Sequence, residues 1–99
     1  MTILQNKKDD KLILNLDGRL DTSTSPLLEK YIESQGVELK ELEMDLEKLQ
    51  YISSAGLRVL LAVHKELKNR DGNLTILNPN EAVREVFLIT GFSEILTIL

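Results

Sequence analysis

The chain has 99 residues, 42% of them hydrophobic, no Cys, no Trp and a formal net charge of −4. That length suits one domain with one modest core, and the lack of Cys excludes disulfides, thiolate metal sites and cysteine nucleophiles. Sixteen acids against twelve bases, with only two Phe and two Tyr, leave neither a basic face nor a stacking platform for nucleic acid.

Leu supplies twenty residues, so the core is expected to be aliphatic. No apolar run approaches the roughly 20 residues of a membrane span, and Met1 to Lys11 lacks the apolar core of a signal peptide. These features predict a small acidic domain over residues 1–99, cytoplasmic and not inserted in a membrane.

Thr2 to Lys8 predicts a first short strand, Asp9-Asp10 a turn, and Lys11 to Asp17 a second strand closed by Gly18. Pro26 suits the first helical position and Ser25 the cap before it. Leu27, Leu28, Tyr31 and Ile32 then share one helical face, with Gly36 as the C′ stop. Leu42, Met44 and Leu46 alternate with Glu43 and Asp45, as in a strand with one apolar and one wetter face.

Leu49 to Ile52 leads into Ser53-Ser54-Ala55-Gly56, followed by the longest periodic segment, Leu57 to Arg70. Asp71-Gly72 is a turn, and Leu74 to Leu77 a strand ended by Pro79. Asn80 caps a helix from Glu81 to Thr90 that stops at Gly91, and Glu94 to Leu99 reads equally as strand or helix fragment. The order β-β-α-β-α-β-α, with a possible last β, predicts an α/β domain. Its sheet is mixed: an antiparallel entry hairpin, then largely parallel strands packed with helices.

Enzyme signals are thin. Position 52, two before Ser54, is Ile, where a nucleophile elbow needs Gly. The single His64 lies ten residues from Ser54, about 15 Å along a shared helix, whereas proton transfer needs about 3 Å. His64 falls among Leu57, Leu60, Leu61 and Leu67 and reads as a packed core residue. Neither nucleotide-binding glycine pattern occurs. Glu38, Glu41, Glu43, Asp45 and Glu47 read as a solvated strand face without metal-binding partners, so no cofactor is expected.

The remaining candidate is Tyr51 to Arg58, where a strand runs into a helix. Either Ser53 or Ser54 caps the helix, worth about 1 kcal/mol, or a serine there is itself a substrate. A helix start tolerates a phosphate, which would add about −1.5 to −2 charges to a surface otherwise made of Ala, Gly and Leu. The helix that follows has an apolar arc of about 200°, with Val59 and Val63 widening it beyond the minimum of about 100° for a surface helix. Either a second layer covers that excess or a partner does.

At this octapeptide the chain resembles the STAS domain family, in particular the single-domain anti-sigma factor antagonists of bacteria. Gly18-Arg19-Leu20-Asp21 is similar to the family's G-x-L-D, and Glu43-Met44-Asp45-Leu46 to its apolar strand ending in Asp. Ile52-Ser53-Ser54-Ala55-Gly56-Leu57 resembles the D-S-[ST]-G-[LI] signature, and Thr90-Gly91-Phe92 the later S/T-G-[FL]. One departure is Ser53, where the family usually has Asp; Ala55 in place of the second Ser or Thr is a smaller change.

The resemblance implies a STAS-like fold and a partner-switching role in transcription regulation, without catalysis by this chain. The partners it implies are an anti-sigma factor serine kinase, bound by the unphosphorylated form, and a metal-dependent serine phosphatase. It places the phosphoacceptor on Ser54, with Ser53 as the alternative. The binding surface falls on Asp21, Thr22, Ser23, Thr24 and Ser25 together with Ser53, Ser54, Ala55, Gly56, Leu57 and Arg58. The other readings are a STAS adaptor in a signalling or transporter complex without phosphorylation, and a small-ligand or nucleotide-binding domain using the Ser53–Gly56 helix start. A monomer or weak dimer is expected.

Overall fold

The computed structural model describes residues 1–99. Strands β1 (Thr2–Lys8) and β2 (Lys11–Leu20) form the entry hairpin; α1 (Ser25–Glu33), β3 (Glu41–Ile52), α2 (Ser54–Asn69), β4 (Asn73–Leu77) and α3 (Glu81–Thr90) follow. A 3-10 turn at Phe92–Glu94 and a short β5 (Thr97–Ile98) complete the chain, so the segment from Glu94 to Leu99, left open between strand and helix fragment, holds the strand. The five strands lie in sequence order, β1 antiparallel to β2 and every later pair parallel. Three crossovers that advance in one direction with the usual right hand put all three helices on one face of the sheet.

The burial pattern agrees with that two-layer arrangement. Leu12, Leu14 and Leu16 of β2, Leu42, Met44 and Leu46 of β3, and Leu74 and Ile76 of β4 are buried on the helix side. The alternate residues Ile13, Asn15, Glu43, Asp45 and Thr75 form a half-exposed face that no helix covers. Val59 and Val63, the excess of the α2 arc, are 7% and 6% exposed. They line grooves shared with α1, which packs beside α2 in the same layer and covers them.

Four local expectations need correction. β2 continues through Gly18 to Leu20, because Gly18 takes a positive φ of 114° at an irregular register step that any other residue would resist. β3 is one strand of 12 residues, although its buried positions pass from Leu46 to Leu49 to Ile52 at intervals of three. The register shift between Asn15 and Asp17 absorbs the change of period. In α1, Thr24 is the cap position and Ser25 the first helical residue, which puts Pro26 at the second, still among the orphan N–H positions. That helix ends at Glu33 with Ser34 as its cap, and Gly36 turns the chain two residues beyond the cap at φ 86°.

Candidate functional site

β2 and β3 run side by side to their carboxyl ends, where Leu20 pairs with Ile52 and the Ser53 amide donates to Leu20 O at 2.9 Å. The loop after β2 and the start of α2 therefore leave the sheet together. Gly56 lets α2 approach closely: a Cβ there would stand 2.8 Å from Leu20 Cγ, 2.9 Å from Ile52 Cγ1 and 3.0 Å from Leu20 O. Thr22, Ser25, Pro26 and Glu29 face Ala55, Arg58, Val59 and Ala62 across an open groove. Two segments that lie about thirty residues apart in the chain thus form one surface.

The two serines have different environments. Ser53 is the cap of α2, with extended backbone and its Oγ accepting from the Gly56 amide at 3.4 Å. It is half-buried. Ser54 is the first helical residue and is exposed. Its backbone belongs to the first turn, where free N–H groups and the helix dipole favour negative charge.

The Asp21–Ser25 loop is organised by its own side chains. One Asp21 carboxylate oxygen accepts from the amides of Ser23 at 3.0 Å and Thr24 at 3.1 Å and from Ser23 Oγ at 2.8 Å. The Ser23 hydroxyl and the Thr24 amide, assisted by the remaining loop donors, hold the Asp21 carboxyl below its usual value of 3.8 against a weaker opposing effect of desolvation. Thr24 Oγ1 accepts from the Asp21 amide and donates to Arg19 O, both at 2.8 Å, and so is unavailable to cap α1. Ser25 Oγ donates to Asp21 O at 2.5 Å.

Thr22, Ser23, Ser54 and Arg58 are exposed, and Asp21, Thr24, Ser53 and Ala55 are half-buried. Ser25, Gly56 and Leu57 are buried. They shape the surface from beneath. The sequence reading left Arg19 and Tyr51, opposite each other in the β2–β3 register, outside the binding surface. The Arg19 guanidinium lies 4.3 Å from the Tyr51 ring centroid and 3.8 Å from the Asp21 carboxylate. Both residues lie beyond the strand ends read from the sequence, so their pairing was not visible there.

No group of His, Cys, Asp or Glu side chains is arranged to hold a metal ion. His64 is half-buried on α2, with Nδ1 buried and without a hydrogen-bond partner. No helix is long and apolar enough to cross a membrane.

The model of the STAS domain matches residues 2–99. The chain belongs to the STAS-domain family. It is 40% identical over 97 residues to BtrV of Bordetella bronchiseptica, a protein named as an anti-sigma factor antagonist, covering 96% of this chain and 83% of the relative. It is 28% identical over 96 residues to the anti-sigma-B factor antagonist of Bacillus subtilis, covering 97% and 86%.

Solved structures show the same fold. The crystal structure of a protein described as an anti-sigma factor antagonist from Thermotoga maritima superposes with a TM-score of 0.92 at 22% identity, covering 97% of this STAS chain and 84% of that one. The antagonist SpoIIAA in its unphosphorylated form gives 0.78 at 20% identity, covering 99% and 87%.

Proposed function

We propose that this STAS domain is an anti-sigma factor antagonist that acts by binding, with Ser54 as the residue whose phosphorylation switches the binding off. Its partner is an anti-sigma factor with serine kinase activity, and a metal-dependent serine phosphatase returns it to the binding form. The observation that carries this reading is the division of labour between the two serines. Ser53 Oγ is engaged in the helix cap, while Ser54 stands exposed on the first turn of α2, next in the chain to Ala55, which lines the groove with Thr22 and Ser25. The names of the relatives support the role, and the exposure of Ser54 supports the acceptor.

Phosphorylation would bring about −1.5 to −2 charges to the rim of the groove. The helix start accommodates that charge, so the effect falls on the partner. A surface that fitted a neutral Ser-Ala pair becomes bulky, hydrated and strongly negative, and contacts made there lose their desolvation balance.

The test pairs the purified chain with purified anti-sigma factor kinases and ATP. With the cognate kinase, intact mass should show one added phosphate, retained in Ser53→Ala and absent in Ser54→Ala. Ser54→Ala should bind constitutively, and Ser54→Asp should lose binding by a factor of ten or more. Equal binding by the two Ser54 variants would refute the switch. Binding without phosphate gain would leave an unswitched adaptor.

A further inference from the structure

The two edges of the sheet are unequal. β5 pairs over two residues only, whereas β1 presents seven residues with no neighbour on its outer side. An unpaired strand edge carries a row of unsatisfied N–H and C=O groups and is a template for another strand. The usual protections are weak along most of β1. It contains no Pro and no bulge, its Thr2–Asn6 stretch is uncharged, and Leu4 is 59% exposed. Lys7 and Lys8 guard only one end. The strand is also held in place, since its whole length pairs with β2 and Gln5 Oε1 accepts from the Tyr31 hydroxyl of α1.

We propose that the β1 edge is a self-association surface, in which β1 of one copy pairs antiparallel with β1 of a second across a two-fold axis at Gln5. This register pairs all seven residues, Thr2 against Lys8, Ile3 against Lys7 and Leu4 against Asn6. The charges select it. Antiparallel partners share a face, so Thr2 and its β2 partner Asp17 lie on the open face of the sheet, as does Lys8 two pleats from Asn6. Lys8 of the second copy then lies opposite Thr2, one strand away from Asp17, within reach of its long side chain. The contact occurs twice by symmetry. The two Leu4 side chains become diagonal neighbours on the same face, the spacing at which cross-strand pairs still interact.

This association closes on itself. It uses the same edge of both copies, and the remaining β5 edges offer too few residues to propagate a sheet, so the product is a dimer and not a fibre. Seven residues per copy fall short of the roughly 20 to 30 of a stable interface, so the dimer is weak and forms at high micromolar concentration. The edge lies on β1, separate from the helix-lined groove beside Ser54, and the association does not depend on the role proposed for that serine.

Sedimentation velocity of the full chain from about 10 µM to 1 mM in low salt provides the test. Wild type should shift towards dimer with concentration, and less so in 0.5 M NaCl. Lys8→Asp and Asp17→Lys should each weaken dimerisation at least fivefold, and the double swap Lys8→Asp/Asp17→Lys should restore it. Far-UV circular dichroism checks that each variant is folded. A chain that stays monomeric throughout would overturn the proposal, as would single substitutions without effect or a double swap that restores nothing.

Discussion

The Asp21 carboxylate gathers two backbone amides and the Ser23 hydroxyl, and this sets its response to pH. Its folded-state pKa lies below the ordinary 3.8 because these donors favour the charged form. Linkage then has a definite sign: the contribution of the loop is complete above the unfolded value near 3.8 and is lost as pH falls through the lower folded value. The Ser23 and Thr24 amide resonances should therefore titrate together, with a midpoint below 3.8, and Asp21→Ala should remove the transition. A midpoint at or above 3.8 would mean that the carboxylate does not organise the loop. Sequence alone located this loop but not its wiring. The Ser25-Pro26 pair satisfied the local rule for a cap and first turn, yet Thr24 and Ser25 spend their hydroxyls on Arg19 O and Asp21 O, contacts defined by the path of the chain leaving β2. The capping serine of α2 was legible only as one of two, because adjacent hydroxyls are indistinguishable until the backbone at Ser53 is seen to be extended.

At the level of elements, amphipathic order was legible wherever a single period held. β4, α2 and α3 fall where alternation, helical spacing and the Asn80 cap put them, and Asn80 Oδ1 does accept from the Val83 amide at 2.8 Å. β2 and β3 were read short because their irregular register steps carry the strands past a change of period, and a one-dimensional pattern records that change as an end. Gly56 is the element-scale feature with the sharpest consequence. Its backbone is helical, so Ala should gain up to about 1 kcal/mol of helix propensity, but the added methyl would meet Leu20 Cγ and Leu20 O at 2.8 and 3.0 Å. Leu20 O is fixed by the Ser53 amide and cannot yield without disturbing the junction. Overpacking of this kind typically costs about 1–3 kcal/mol. Gly56→Ala should therefore lower the stability read by urea unfolding by about 1–2 kcal/mol, with partner binding reduced because α2 moves away from the Asp21 loop. An unchanged or raised midpoint would show that α2 does not depend on this close approach.

The whole molecule combines one aliphatic core with the proposed switch residue, Ser54, outside it. Twenty buried hydrophobic residues form one cluster, and Ser54 is not among them. A phosphate there adds charge to a chain already at −4, yet it enters at a helix N-terminus, away from any apolar packing. Shape should therefore be conserved while surface changes. On phosphorylation of Ser54 the radius of gyration from small-angle scattering should stay the same, and the melting temperature should move by no more than about 5 °C, about 1 kcal/mol for a domain of this size. Amide shift changes should be confined to residues near Ser53–Arg58 and Asp21–Ser25. Changes running through β2, β3 and β4 would instead mean that the phosphate acts by rearranging the core, and the division between a fixed scaffold and a variable surface would fail.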